Sequence, residues 1–247
     1  MLDFGVLGPL RAVVDGVTVH IGPRKHRILL ASLLLRANRP VHLDELVDRL
    51  WPTAEIPRCA RSTVQTYVMR LRHELGPAGC RIRTGPEAYS IELGADQLDL
   101  DRFVRHTEQA GRARRSGALS EARAHLGSAL AQWRGAPLAD VPSATLARFE
   151  VPHLIERRCR ATEQRIELDL VLGSPDDLVS ELHTLIAEHP LHERFRALLM
   201  RAYCRAGRHA EALAAYHAAA RLLADELGVE PGQELRLRYA RLLAGQG

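Results

Sequence analysis

Apolar residues near the start of the chain alternate in short runs: Leu2, Phe4, Val6 and Leu7, then Leu10, Ala12, Val13 and Val14, then Val17, Val19 and Ile21. Gly8-Pro9 and Asp15-Gly16 separate these runs. Asp-Gly between apolar alternations is a hairpin signal, so a small antiparallel sheet is expected, ended by Gly22-Pro23. From residue 24 to 37 the spacing turns helical, with Ile28, Leu29, Ala31, Leu33 and Leu35 on a wide apolar face. Asn38-Arg39-Pro40 stops this helix and Val41-His42 is short and extended. Residues 43–50 form a second helix on Leu43, Leu46, Val47 and Leu50, with Asp44 and Glu45 in the first turn, where the helix dipole favours acids. The third helix spans about residues 58–75, with Val64, Val68, Leu71 and Leu75 in one stripe. Ser62, Thr66, Met69 and His73 fall opposite that stripe, Gln65 and Arg70 flank them, and Arg61 and Arg72 lie nearer the core side. Gly76-Pro77 ends the helix. Residues 80–84 and 89–93 read as a hairpin around Gly85-Pro86-Glu87-Ala88. A sheet, three helices and a hairpin in this order make a winged helix, which places its third helix in the major groove and its wing against the backbone.

After Gly94 the pattern becomes almost entirely helical. Helices are expected at about 99–115, 119–133, 145–172, 176–188, 191–206, 209–226 and 232–244, with breaks at Gly117, Gly135-Ala136-Pro137, Gly173-Ser174-Pro175, Pro190, Gly207 and Gly228. Gly173 and Gly207 are 34 residues apart, the tetratricopeptide period. Shifting by that period pairs Leu178 with Ala212, Val179 with Leu213 and Leu182 with Tyr216, and residues 116–122 are a weaker copy of the turn at Gly207. The expected fold is mainly α: an N-terminal winged helix-turn-helix (α+β) over residues 1–95, then an all-α tetratricopeptide-like helical domain over 96–247.

Composition sharpens this picture. The chain has 247 residues, 46% hydrophobic and 26% charged, with only 4% aromatic, so two small domains with aliphatic cores are expected. No window approaches the run of about 18 apolar residues that a membrane span needs, and the N-terminus lacks the basic region of a secretory signal. The four cysteines, Cys59, Cys80, Cys159 and Cys204, show neither a C-x-x-C pair nor metal spacing, which fits a cytoplasmic protein. The formal net charge is +4, and it is unevenly placed. Residues 1–95 hold 13 Lys and Arg against 9 Asp and Glu, whereas residues 96–247 hold 21 of each. Arg58, Arg61, Arg70, Arg72, Arg81 and Arg83 face only Glu74 and Glu87 within 58–87. Such a local basic stripe suggests a polyanion partner, a solvated helix face being the plainer alternative.

The stretch Leu50-Trp51-Pro52, followed by residues 60–77, resembles the DNA-binding domain of the Streptomyces antibiotic regulatory protein family. Near relatives of that domain are the winged-helix effector domains of bacterial response regulators. Residues 186–193, 203–216 and 222–232 resemble the same family's bacterial transcriptional activation domain. Pro52 stands where the family often has Gly, Ser62 where it often has Asn, and Met69 where it often has Ser. The wing tip is also poorer in glycine than usual. The chain ends after the helical domain, where longer members continue into an ATPase domain. The resemblance implies an activator of an antibiotic biosynthetic gene cluster. It would bind direct repeats in double-stranded DNA near promoters as a homodimer of side-by-side protomers, and recruit RNA polymerase holoenzyme, with the helical domain making protomer and polymerase contacts.

Within this motif Gln65 and Thr66 are the candidates for reading base edges. Arg70 and Arg72 are candidates for phosphate, with an internal salt bridge as the alternative for Arg72. Arg24 and Lys25 open the first helix, where free backbone N–H groups favour a phosphate, and Arg83 lies on the wing. Arg61, Ser62, Thr63 and His73 complete the DNA-facing set. No cofactor, metal, membrane partner or catalytic group is expected. The sole lysine, Lys25, rules out G-x-x-x-x-G-K-[ST], and neither H-E-x-x-H nor G-x-S-x-G occurs. His183, His189 and His192 fit no common metal spacing. A repeat-domain scaffold, or a repressor with the same DNA-binding half, remains the alternative function.

Overall fold

The computed structural model describes residues 1–52, 55–173 and 175–245. Asp15 (φ 51°) and Gly16 (φ 83°) both adopt the left-handed region. They close the tight turn between β2 (Arg11–Val14) and β3 (Val17–Thr18), because a primed turn matches the twist of the strands it joins. β1 (Leu2–Gly5) lies antiparallel to β2, with Phe4 opposite Ala12. The expected N-terminal sheet is therefore present.

Three helices follow: α1 (Arg24–Leu34), α2 (Leu43–Leu50) and α3 (Ala60–Glu74), each packed on the other two. Their common core is aliphatic, built on Ile28, Leu29, Leu33, Leu46, Leu50, Val64, Val68 and Leu71. α1 ends three residues before the expected Ala37. Residues 36 and 37 close tight turns onto Leu33 and Leu34, and Asn38 enters the left-handed region at φ 63°. The Asn38 carboxamide then accepts the Leu93 N–H at 2.8 Å, which ties the helix end to the wing. The second sheet has the order β4 (Val41–His42), β6 (Ala88–Ile91), β5 (Ile82–Gly85), all antiparallel. The wing hairpin starts later than expected, at Ile82. Cys80 and Arg81 belong instead to a short 3-10 helix, Gly76–Arg81. A Cβ at Gly79 would lie 2.1 Å from the Arg72 carbonyl oxygen, so only glycine lets the chain turn this close to α3.

The later helices are α4 (Asp99–Arg115), α5 (Leu119–Leu130), α6 (Ala144–Phe149), α7 (Val151–Leu172), α8 (Pro175–Glu188), α9 (Glu193–Arg205), α10 (His209–Leu227) and α11 (Gln233–Leu243). The single helix expected at 145–172 is two, broken at Glu150. Pro152 has no N–H to give and is accommodated in the first turn of a new helix. Ser174, part of an expected break, lies outside the described residues. The architecture is mainly α, a winged helix-turn-helix followed by an all-α tetratricopeptide-like domain.

The chain forms two compact units, Met1–Gln109 with Gly127–Cys159, and Ala110–Leu126 with Arg160–Gly247. Residues beyond 95 thus complete the first unit. Leu98 bridges to Phe4. The Ser143 hydroxyl donates to the Arg49 carbonyl at 2.7 Å and the Thr145 hydroxyl to the Asp48 carbonyl at 2.8 Å, which seats α6 on the end of α2. In the second unit α9 packs on α8, α10 and α11; Ala197 and Met200 of α9 share one buried cluster with Ala219 of α10 and Leu235 of α11, and Tyr216 stacks on Tyr239 with ring centroids 4.1 Å apart. Gly207 (φ 71°) and Gly117 (φ 80°) share one turn geometry. The N–H after each, of Arg208 and Ala118, reaches the carbonyl five residues back, on Tyr203 and Ala113. Gly173 lacks the positive φ and makes an ordinary helical bond to Asp169. The 34-residue spacing therefore holds for helix pairing but not for the turn, which the weaker copy at Gly117 reproduces instead.

Candidate nucleic-acid interface

The stripe of Val64, Val68, Leu71 and Leu75 is fully buried and fixes the rotation of α3. That rotation leaves Arg61, Ser62, Gln65, Met69, Arg70 and His73 exposed, with Thr66 half-buried at the edge. A helix held by one apolar stripe presents its opposite face as a rigid unit, which a groove-reading element requires.

The candidate side chains divide by what they already hold. Among the described residues, Arg24, Gln65, Arg70 and His73 make no side-chain hydrogen bond or ion pair, and all four are exposed. Arg58, in the basic stripe but absent from the candidate set, is equally exposed and without a partner there. The others are committed internally. Ser62 and Thr63 donate to the Cys59 carbonyl at 3.0 and 2.9 Å, and Thr66 donates to the Ser62 carbonyl at 3.2 Å. These local bonds hold the hydroxyls against the helix, a usual habit of Ser and Thr in helices. Lys25 donates from Nζ to the Leu50 carbonyl and lies over the Trp51 ring, 5.1 Å from its centroid. Its pKa is lowered, chiefly by desolvation.

On the wing side Arg61, Arg72 and Arg83 each have an internal partner. Arg61 reaches Asp44 at 2.8 Å and Glu87 at 2.5 Å, and the Asp44 hydrogen bond, followed by the Asp44 and Glu87 charges, holds its guanidinium above its ordinary pKa. Arg83 pairs with Glu92 at 2.7 Å, and this hydrogen bond likewise raises its pKa. Among the described residues Arg72 forms no salt bridge. Its guanidinium donates to the Ile82 carbonyl at 2.8 and 3.2 Å and to the Thr84 hydroxyl at 2.8 Å. It thus fastens α3 to the wing. Sequence spacing cannot show these pairings, because Asp44, Glu87 and Glu92 reach the cations only through the fold.

Behind α3, the imidazole of His26 is buried, with Nδ1 2.6 Å from a Glu74 carboxylate oxygen, and the Tyr67 ring lies edge-on to it at 5.4 Å. Nothing in the sequence spacing singles out this pair. Among the described residues, no group of three or more His, Cys, Asp or Glu side chains is arranged to hold a metal ion. No helix there is long and apolar enough to cross a membrane.

Residues 98–243 match the family described as bacterial transcriptional activator domain, and residues 16–87 match that described as transcriptional regulatory protein, C terminal. Regulatory protein AfsR of Streptomyces coelicolor is 44% identical over 243 residues, covering 98% of this chain and 24% of AfsR. Regulatory protein DnrI of Streptomyces peucetius is 36% identical over 256 residues, covering 100% of this chain and 94% of DnrI. The solved structure of Mycobacterium tuberculosis EmbR in complex with a low affinity phosphopeptide superposes with a TM-score of 0.93 at 35% identity, covering 100% of this chain and 66% of that one. The chain thus spans about a quarter of AfsR and 64% of the EmbR sequence. A winged helix with an exposed polar face on its third helix, an activator domain over most of the remaining residues, and similarity to DnrI over the whole of this chain lead to one conclusion: the chain belongs to the Streptomyces antibiotic regulatory protein family.

Proposed function

We propose that the chain is a cytoplasmic, sequence-specific DNA-binding activator of a secondary-metabolite gene cluster, and not an enzyme. The observation that carries this reading is the outer face of α3, where Gln65, Met69, Arg70 and His73 are exposed, without side-chain partners among the described residues and backed by a buried stripe. Gln65 would read a base edge, bidentate to adenine in its commonest geometry, and Met69 would meet a thymine methyl. Arg24, Arg58 and Arg70 would take phosphates on the α1 side of the groove. Lys25, Arg61, Arg72 and Arg83 would contribute from within their internal contacts, mainly by fixing α1 and the wing, and Ser62, Thr63 and Thr66 by packing against the sugar-phosphate edge.

In this reading residues 1–95 supply the DNA contacts, and residues 96–247 supply the surface for a neighbouring protomer and for RNA polymerase holoenzyme. The homodimer would sit on direct repeats, since side-by-side protomers on repeated sites raise each other's effective concentration. The test pairs two measurements on promoter DNA taken from the neighbouring genes. Gel-shift affinity at several salt concentrations is expected to show a steep salt dependence and protection of two repeats. In vitro transcription from the same promoter is expected to rise with added protein. Salt-independent binding would remove the DNA-binding reading, and a fall in transcription would make the chain a repressor.

A further inference from the structure

Beside the recognition helix lies a cavity of about 660 Å3. It opens between the first turn of α1, the end of α2, the flank of α3 and residues 142–145. Its volume is that of a small-molecule site. Two features set its chemistry. One wall is aromatic: the Trp51 and Tyr67 rings are stacked with centroids 6.0 Å apart and planes 26° from parallel. The rim is cationic: Arg24 and Arg70 line it without any ion pair among the described residues, and Lys25 lies over Trp51. The fourth cation there, Arg49, is already matched by Glu45 and Glu150 at 2.7 and 2.6 Å. Glu55 is the only carboxylate among the described lining residues. His26 also lines the cavity with its side chain 4% exposed; its Nδ1 is taken by Glu74, and its Nε2 has no partner among the described residues. The first backbone N–H groups of α1 add further donors, since Pro23 at its N-cap provides no side-chain cap.

We propose that this cavity binds a small organic anion carrying a flat ring, and that its occupant regulates the protein by competing with DNA for Arg70. The ring packs against Trp51 and Tyr67, and the anion sits between Arg24 and Arg70. The cavity stands on its own geometry; only the competition rests on the DNA-binding reading. Because residues 142–145 form one wall and are hydrogen-bonded to α2, occupancy also braces the end of α2. Coupling of this kind is reciprocal, so DNA weakens the ligand by the factor by which the ligand weakens DNA.

The chain contains two tryptophans, Trp51 and Trp133, which makes the test direct. The full chain is labelled with 5-fluorotryptophan, and its two fluorine signals are assigned with Trp133→Phe. It is then titrated with 2-naphthalenesulfonate, with 2-naphthol for the ring without the charge, and with inorganic phosphate for the charge without the ring. The Trp51 signal is expected to shift saturably with 2-naphthalenesulfonate while Trp133 stays still. Arg24→Gln and Arg70→Gln should each weaken this binding roughly tenfold, as one lost charge-assisted contact implies. Ala144→Phe, at an exposed position on the cavity wall, should abolish the shift while leaving DNA binding intact. Added 2-naphthalenesulfonate should reduce DNA affinity in the parent and not in Ala144→Phe. The proposal is overturned by an unmoved Trp51 signal, by equal movement of both signals, by a shift that survives Ala144→Phe, or by phosphate or 2-naphthol alone matching the sulfonate. A failed titration leaves the DNA-binding reading standing, and failed DNA binding leaves the titration standing, so the two are separable.

Discussion

The carboxylate of Asp99 accepts the backbone N–H of Val6 at 2.9 Å. Its second oxygen accepts the Leu7 N–H at 3.0 Å, and Arg134 pairs with it at 3.1 Å. Val6 and Leu7 are fully buried, so these two donors have no access to water. A residue assigned by sequence to the helical half thereby completes the N-terminal sheet.

Removing this clasp should be costly. Asp99→Ala leaves two buried N–H groups unpaired, which predicts a loss of about 3 kcal/mol in urea unfolding. A fragment ending at residue 96 lacks Asp99, Arg134 and the 142–145 segment, and should show no cooperative thermal transition by circular dichroism. A well-folded fragment of that length, or a loss under about 1 kcal/mol for Asp99→Ala, would show that the clasp is dispensable.

Arg70 and Arg72 are two residues apart in sequence and should fail differently. Arg70→Ala should leave stability unchanged and reduce the slope of log affinity against log salt by about 0.9, one phosphate contact. Arg72→Ala should cost about 1–2 kcal/mol of stability, because the Ile82 carbonyl and Thr84 lose their donor. If Arg72→Ala instead lost a full unit of slope at unchanged stability, Arg72 would be a direct phosphate contact.

Among the described residues Gln65 has no competing internal bond, so its effect should be confined to sequence choice. Gln65→Ala is expected to cost roughly 1–3 kcal/mol at one base pair of the site and nothing at the others. Binding measured across single-base variants checks this, and a uniform loss at all variants would remove Gln65 from base reading.

In the second unit Glu234 receives Arg194 and, at 2.8 Å, Arg238. Burial pushes its pKa up, but the hydrogen bonds and charges of the two arginines outweigh burial and leave it below the ordinary value. A lowered carboxylate pKa means the folded state binds fewer protons than the unfolded one. The stabilisation is therefore full above the unfolded value of about 4.3 and is lost as pH falls through the folded value. Glu234→Gln should cost up to about 1 kcal/mol at neutral pH, the ion pairs being partly screened by solvent. The parent and variant should converge below the usual carboxylate range. An equal gap at both ends of the pH series would assign the effect to shape and not to charge.

The paired turns give a backbone test. Gly117 and Gly207 both have positive φ and open space where a Cβ would go. Gly117→Ala and Gly207→Ala should each cost about 1 kcal/mol from conformation alone. A neutral result at either position would mean that the turn relaxes without left-handed geometry.

Much of this protein is local in origin and was legible in the chain. Asp15-Gly16 specifies its turn because few residue pairs tolerate two positive φ angles. Val64, Val68, Leu71 and Leu75 set the rotation of α3 because helical spacing alone brings them to one face. The exposed polar face of α3 follows from that rotation, and the family motif follows from the residues themselves. The tertiary structure decided which cations are free. Arg70 and Arg72 carry the same charge on the same helix, but Arg72 meets a strand at residues 10 and 12 positions away, and Arg70 meets no such partner among the described residues. It also decided where the first folding unit ends, since Asp99 reaches Val6 across 93 positions of sequence. Hydrophobic periodicity reports a residue's neighbours within a turn or two. A buried carboxylate, an internal ion pair or a cavity depends on segments that only the folded chain brings together, and no periodicity records their distance.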